Sequence, residues 1–253
     1  MTAPLFFSPG LDPGTCRGAT VTLDGAEAHH AVRVMRLKVG EELSVSDGHG
    51  FVAYGRVASI DGERLVMVVD DTRYEPPPAT RLVLVQALAK GDRDLQAIEA
   101  ATEIGVDEVV PWSAERSVVV WREGRADKAL RKWRSTLLTS SKQSRRARQP
   151  SLGEPVTSRQ LAASIGADPD TVAIVLHEDA ADSLASIARS VDAGKAIMLI
   201  VGPEGGIAER ELDMLTAAGA RAARIGPHVL RSSTAGPVAL SVVQTARGAW
   251  DRA

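Results

Sequence analysis

Along this chain the rhythm of hydrophobic and polar positions changes once, across Glu75-Pro76-Pro77-Pro78-Ala79. Consecutive prolines cannot donate to a helix or sheet ladder, and they favour a stiff, extended spacer. The chain therefore divides into residues 1–74 and 79–253. In the first part, Phe51-Val52-Ala53-Tyr54-Gly55-Arg56-Val57 and Leu65-Val66-Met67-Val68-Val69 are β-rich runs. Asp47-Gly48-His49-Gly50 and Asp61-Gly62 supply the positive-φ positions that hairpins need. One helix is expected over 26–35, with Ala28, Val32 and Met35 on one face. Short strands around one helix predict a compact β-barrel.

In the second part strands and helices alternate. Leu82-Val83-Leu84-Val85 leads into a helix capped by Asp92 and stopped by Gly105, and Val109-Val110 opens the next strand. Ala126, Ala129, Leu130, Trp133 and Leu137 recur at helical spacing, predicting an amphipathic helix over 125–143. Val172-Ala173-Ile174-Val175-Leu176 and Ile197-Met198-Leu199-Ile200-Val201 are unbroken apolar runs. Such runs fit strands buried on both faces of a parallel sheet. Further helices are expected at 208–217 and 235–250. The pattern gives an α/β domain but not its strand order.

Composition narrows the class. With 253 residues, 44% hydrophobic, a disordered chain, a coiled coil and a repeat array are excluded. The single cysteine, Cys16, excludes a disulfide framework. No apolar run approaches the roughly 18 residues of a membrane span, and the N-terminus lacks a signal segment. A cytoplasmic protein is expected. The net charge is −2, yet residues 122–148 carry ten Lys/Arg (122, 125, 128, 131, 132, 134, 142, 145, 146, 148) against two acids. A solvated helix face is the plainer explanation, but this imbalance favours phosphate binding. Arg33, Arg36 and Lys38 form a smaller basic group.

The richest chemistry follows Val201, in Gly202-Pro203-Glu204-Gly205-Gly206-Ile207. In open α/β sheets ligands bind beyond the C-terminal ends of strands, and glycines let backbone approach them closely. The competing reading is a plain strand-to-helix turn. Neither a Walker loop nor Gly-x-Gly-x-x-Gly is present, so ATP hydrolysis and NAD chemistry lose their sequence support. A second loop, Ile225-Gly226-Pro227-His228-Val229-Leu230-Arg231-Ser232-Ser233-Thr234-Ala235-Gly236, would form the other wall of a pocket. There Arg231 offers a permanent cation for a developing anion, and one of Ser232, Ser233 and Thr234 is expected to cap the last helix. His177-Glu178-Asp179 matches no zinc spacing, and no metal is expected. His29-His30 reads as surface or packing, and no hydrolase nucleophile motif occurs.

Together the Gly-Pro-Glu-Gly-Gly loop and Ile-Gly-x-x-x-Leu-Arg-x-x-Thr-Ala resemble the cofactor site of SPOUT-class RNA methyltransferases. The pieces His29-His30-Ala-Val-Arg33-Val-Met-Arg36, Ala89-Lys90-Gly91-Asp92, Ala101-Thr102-Glu103-Ile104-Gly105, Glu115-Arg116-Ser117 and Gln143-Ser144-Arg145-Arg146 narrow the resemblance to the RsmE type, the 16S rRNA (uracil-N3)-methyltransferases. The resemblance implies an N-terminal PUA-like RNA-binding β-barrel and a C-terminal SPOUT-type trefoil-knotted α/β domain, with the knot near 202–239. It also implies S-adenosyl-L-methionine as cofactor, a homodimer, and 16S rRNA of the small ribosomal subunit as substrate.

Carried over by position, the cofactor residues would be Leu176, His177, Gly202, Pro203, Glu204, Gly205, Gly206, Ile225, Gly226, Leu230, Ser232 and Ala235, with Arg231 and Thr234 beside the reacting base. The RNA-binding residues would be Arg33, Arg36, Lys38, Lys90, Arg116, Lys132, Lys142, Arg145 and Arg146. The chain departs from the type at Ser232-Ser233, where Thr-Glu is common, and at Lys142, where an acid is common. Uracil N3 becomes nucleophilic as its anion, so Arg231 would stabilise charge on O2 and O4, and Glu204 would take the proton only if it reaches the base. The target base must leave any helix stack. A methyltransferase for another rRNA or tRNA nucleotide, and a non-catalytic RNA-binding assembly factor, are the competing functions.

Overall fold

A computed structural model describes residues 3–121, 124 and 126–251; Arg122 and Arg125, which open the basic segment, lie outside the described residues. By packing the chain forms two units, Met1–Pro77 with Ser141–Gln149, and Pro78–Ser140 with Pro150–Ala253.

The first unit contains strands β1 (Leu5–Phe7), β2 (Thr20–Leu23), β3 (Glu42–Ser46), β4 (Phe51–Asp61) and β5 (Arg64–Tyr74), ordered β1-β3-β4-β5-β2. β1 runs parallel to β3, and the remaining pairs are antiparallel. The two glycine turns join β3 to β4 and β4 to β5, with Gly48, Gly50 and Gly62 at positive φ. Phe6, Leu43, Val45, Ala53, Leu65 and Met67 fill the core, which alternation directs to one face of each strand.

The expectation of one regular α-helical face over 26–35, with Ala28, Val32 and Met35 together, is corrected. α1 (Gly25–His29) runs into a π-helical turn, His30–Val34. The wider turn rotates the later side chains, so Ala28 and Ala31 are buried while Met35 is 45% exposed.

The second unit contains β6 (Leu82–Ala87), α2 (Arg93–Ile104), β7 (Glu108–Ser113), α3 (Ala126–Gln143), β8 (Ser151–Leu152), β9 (Val156–Thr157), α4 (Ser158–Ala167), β10 (Thr171–Leu176), α5 (Leu184–Ser190), β11 (Ala196–Val201), α6 (Glu209–Ala217), β12 (Arg221–Ala223) and α7 (Ser232–Ala246). From Ser141 onward α3 packs with the first unit. The sheet order is β12-β10-β11-β6-β7-β8, with β9 also on β7, and every pair is parallel. One face packs on α2, α5 and α7 through Ile98, Ile187 and Leu240. The other packs on α4 and α6 through Leu161 and Leu215. Coverage on both faces is why β10 and β11 read as unbroken apolar runs.

Two expected helix caps are corrected. Asp92 precedes α2, but at φ 59 it makes no side-chain cap; its carboxylate pairs with Lys132 Nζ at 2.9 Å. A capping side chain reaches the free N–H groups from extended backbone, not from the left-handed region. At α7 the cap position is Arg231, again without a side-chain cap, and the helix starts at Ser232 rather than Ala235. The three hydroxyl residues therefore lie inside its first turn.

Candidate cofactor cleft

Since β12, β10 and β11 are neighbours, the loops after all three leave the sheet side by side. With the first turn of α7 they enclose a cavity of about 730 Å³. Its walls include Leu176 and His177 after β10, Gly202, Pro203, Glu204, Gly205 and Gly206 after β11, and Leu230, Arg231, Ser232 and Ala235. A smaller hollow of about 80 Å³ shares Leu176, His177 and Leu230 and adds Ile225 and Gly226. Thr234 is exposed on α7 and lines neither. Arg93, Arg116, Glu178, Asp179 and Val229 also line the larger cavity. The resemblance assigns Arg116 to RNA, and the sequence raises Glu178 and Asp179 only as metal ligands. Their position after a buried strand was the available signal.

The glycine loop is shaped by close approaches. A Cβ on Gly202 would lie 2.6 Å from Ile207 Cγ1, and one on Gly205 would lie 3.2 Å from Arg116 Cβ. Gly206 adopts φ 72, a region other residues seldom adopt. Around Gly226 nothing among the described residues lies within 4 Å of an added Cβ. That backbone is open to a ligand.

Glu204 fastens this loop to the turn before α2. Its Oε1 accepts from Arg93 Nη1 at 2.9 Å and from the Lys90 backbone N–H at 3.2 Å. Burial alone would raise its pKa, but hydrogen bonds from its own backbone, Arg93 and Lys90, with the Arg93 charge, hold it below the ordinary carboxylate range. A carboxylate so engaged is a poor proton acceptor. Arg116 Nη1 donates to the Gly205 carbonyl at 3.2 Å, holding the loop from its other side. Ser232 Oγ is buried at the cavity wall with no hydrogen-bond partner among the described residues. Such a hydroxyl is costly unless a ligand completes it.

Asp94, buried in the first turn of α2, has a raised pKa. Burial is the main cause, opposed by hydrogen bonds from Leu95, Ala89 and its own backbone, and from the Trp133 side chain.

The cations expected at RNA fall into different settings. Arg33 is exposed within the π-helical turn, and Arg36, at φ 57, and Lys38 are exposed beyond it. Lys90 is exposed beside the Glu204 contact. Lys132 pairs with Asp92, and Lys142 forms an ion pair with Glu27 in which both side chains are 19% exposed. Arg146 is half-buried with an internal partner, whereas Arg145 is exposed at φ 56. Among the described residues no cluster of His, Cys, Asp and Glu could hold a metal ion, and no helix is long and apolar enough to cross a membrane.

Residues 75–244 match an RNA methyltransferase domain, and residues 23–70 match an RNA methyltransferase PUA domain. The ribosomal RNA small subunit methyltransferase E of Mycobacterium bovis is 42% identical, covering 99% of this chain and 95% of its own. The Bacillus subtilis protein of the same name is 28% identical, over 88% of this chain and 89% of its own. The Neisseria gonorrhoeae methyltransferase E, crystallised bound to S-adenosyl methionine, superposes with a TM-score of 0.84 at 26% identity, covering 96% of this chain and 98% of that one. End-to-end likeness to these proteins, over both matched domains, shows that the chain belongs to the RNA methyltransferase family, among its small-subunit ribosomal RNA methyltransferase E members.

Proposed function

We propose that the protein methylates N3 of a uridine in 16S rRNA of the small ribosomal subunit, using S-adenosyl-L-methionine held in the cleft. We propose further that it acts in the cytoplasm as a homodimer, with the chain near 202–239 forming a trefoil knot. The observation that carries the reading is Arg231. Its guanidinium lines the cavity and has no partner among the described residues, in a chain 42% identical from end to end to a small-subunit rRNA methyltransferase.

The cleft suits that cofactor. Leu176, Ile225 and Leu230 supply apolar wall, and Gly202 and Gly226 supply close backbone. Glu178 and Asp179 supply carboxylates for a cationic ligand, and Ser232 supplies an unpaired hydroxyl. The cofactor brings an activated methyl group for in-line displacement, so the chain's work is positioning and charge stabilisation. Arg231 meets the charge that the uracil anion spreads onto O2 and O4. Glu204 holds the loop in place rather than taking the N3 proton.

Radiolabelled S-adenosylmethionine, offered with small subunits or naked 16S rRNA from cells lacking the enzyme, tests the reading by nucleoside analysis. Labelled 3-methyluridine is the expected product. Another methylated nucleoside would overturn the position, and absence of cofactor binding would overturn the activity.

A further inference from the structure

A second cavity lies within the first unit. Leu5 pairs with Ser44, and Ser44 with Tyr54, so these residues form one row across β1, β3 and β4. Alternation puts Glu42 and Val52 on the same face, while Phe6, Leu43, Val45 and Ala53 face the core. An outer sheet face ordinarily meets water. Here Leu5, Ser44 and Val52 are only 6%, 6% and 2% exposed.

Their cover is the segment 141–149. Ser46 Oγ donates to the Ala147 carbonyl at 2.7 Å. Arg148 Nε donates to the Glu75 carbonyl at 2.9 Å, and its guanidinium lies 5.5 Å from the Tyr74 ring centre. The cover is incomplete. About 680 Å³ remains open, lined by Tyr54, Arg145, Glu75 and their neighbours.

The lining has a definite chemistry. Arg145 is held at φ 56, a left-handed conformation that a residue with a Cβ seldom adopts. Its guanidinium and the Tyr54 hydroxyl have no partner among the described residues. Glu42 is paired with Arg56, but the Glu75 carboxylate is not in an ion pair among the described residues. An aromatic face, a free planar cation and a free acceptor match three parts of one ligand: a base, a phosphate and base-edge N–H groups.

We propose that this cavity binds one unpaired nucleotide of an RNA strand, the base against Tyr54, its phosphate on Arg145 and its edge toward Glu75. The inference rests on the reading that the protein acts on RNA. A carboxylate or phosphate metabolite would use the cation but leave the tyrosine face without a role.

The test uses the full-length protein with S-adenosylmethionine and a short, labelled, single-stranded oligoribonucleotide, with thermal melts as folding control. Tyr54→Ala should weaken RNA binding about tenfold, as loss of one stacked base does, while Tyr54→Phe stays near wild type. Arg145→Gly relieves the strained backbone, so its fold is secure. It should weaken binding several-fold and lower the salt slope by about 0.7, the share of one phosphate on a single strand. Cofactor affinity should be unchanged in all three. Wild-type RNA affinity in both Tyr54→Ala and Arg145→Gly would overturn the proposal. So would a free mononucleotide that competes as well as the oligomer, because the site would then serve metabolites. Methylation of rRNA by the wild type is measured in parallel: if it persists while the variants bind normally, only this inference fails, and if the wild type neither methylates nor binds RNA, the functional reading fails with it.

Discussion

Two glycine-to-alanine substitutions separate what the cleft needs for folding from what it needs for its ligand. At Gly202 an added Cβ falls 2.6 Å from Ile207 Cγ1, where ordinary contact begins at 3.4 Å. Ile207 is 6% exposed and packs in the core formed with α4 and α6, so it has little room to retreat. Overpacking of this kind costs about 1–3 kcal/mol. At roughly 2–4 °C per kcal/mol for a chain of this size, Gly202→Ala should melt about 2–12 °C lower without ligand. At Gly226 nothing lies within 4 Å and the backbone is outside the left-handed region, so the free protein should melt within about 0.5 kcal/mol of wild type. Cofactor at a hundred times its Kd stabilises by about 2.7 kcal/mol. If the cofactor approaches the Gly226 backbone, Gly226→Ala should weaken binding about tenfold, removing about 1.4 kcal/mol of that stabilisation. Calorimetric melts with and without S-adenosylmethionine, with titration calorimetry for Kd, read both effects. Wild-type affinity in Gly226→Ala would refute the placement of the ligand, and an unchanged melt in Gly202→Ala would refute the packing argument.

Other substitutions test the remaining roles. Arg231→Ala should keep cofactor affinity within about threefold and lose turnover by about 10²-fold or more, as removal of a charge-stabilising donor does; single-turnover methylation checks this, and near-normal turnover would sink the role. Glu204 has a lowered pKa, so the stability it contributes is complete above the ordinary carboxylate range and is lost as pH falls through the lowered value. Glu204→Gln should therefore flatten the acid side of a melt-versus-pH profile, while the pH dependence of turnover near neutrality keeps its shape. Ser232→Ala removes a buried, unpartnered hydroxyl; the free protein should be as stable or slightly more so, with cofactor or substrate binding weakened, and a loss of free-protein stability would count against the reading. Lys142→Met leaves Glu27 half-buried without its cation and should destabilise by about 1–3 kcal/mol in chemical denaturation, with no change in the salt slope of RNA binding.

The parallel sheet and its two glycine loops were legible because burial on both faces leaves unbroken apolar runs, and because a ligand loop must interrupt them. β10 and β11 coincide with those runs, and the loop at Gly202 stands where the second one ends. Spacing rules failed where they assume one geometry. The pattern over 26–35 assumes 3.6 residues per turn, and a π-helical turn moves Met35 from the buried face to solvent. The cap rule assumes extended backbone, and Asp92 lies in the left-handed region. Neither departure leaves a mark in residue type alone.

Charge counting met a different limit. It sums cations along the chain without their partners, and Lys142 and Lys132 are matched to Glu27 and Asp92, far off in sequence. The same limit leaves Glu204 a candidate base only on the condition that it reaches the substrate. Its place in the glycine loop was readable, but a carboxylate's role depends on what already donates to it. With Arg93 and the Lys90 N–H both on Oε1, a proton taken up on Oε2 would leave those bonds in place but cost the charge that strengthens them. A base that weakens its own loop's fastening on each turnover would work against the positioning that methyl transfer requires. Structural fastening is therefore the role we propose for Glu204, and it leaves charge stabilisation to the Arg231 guanidinium, unpaired among the described residues.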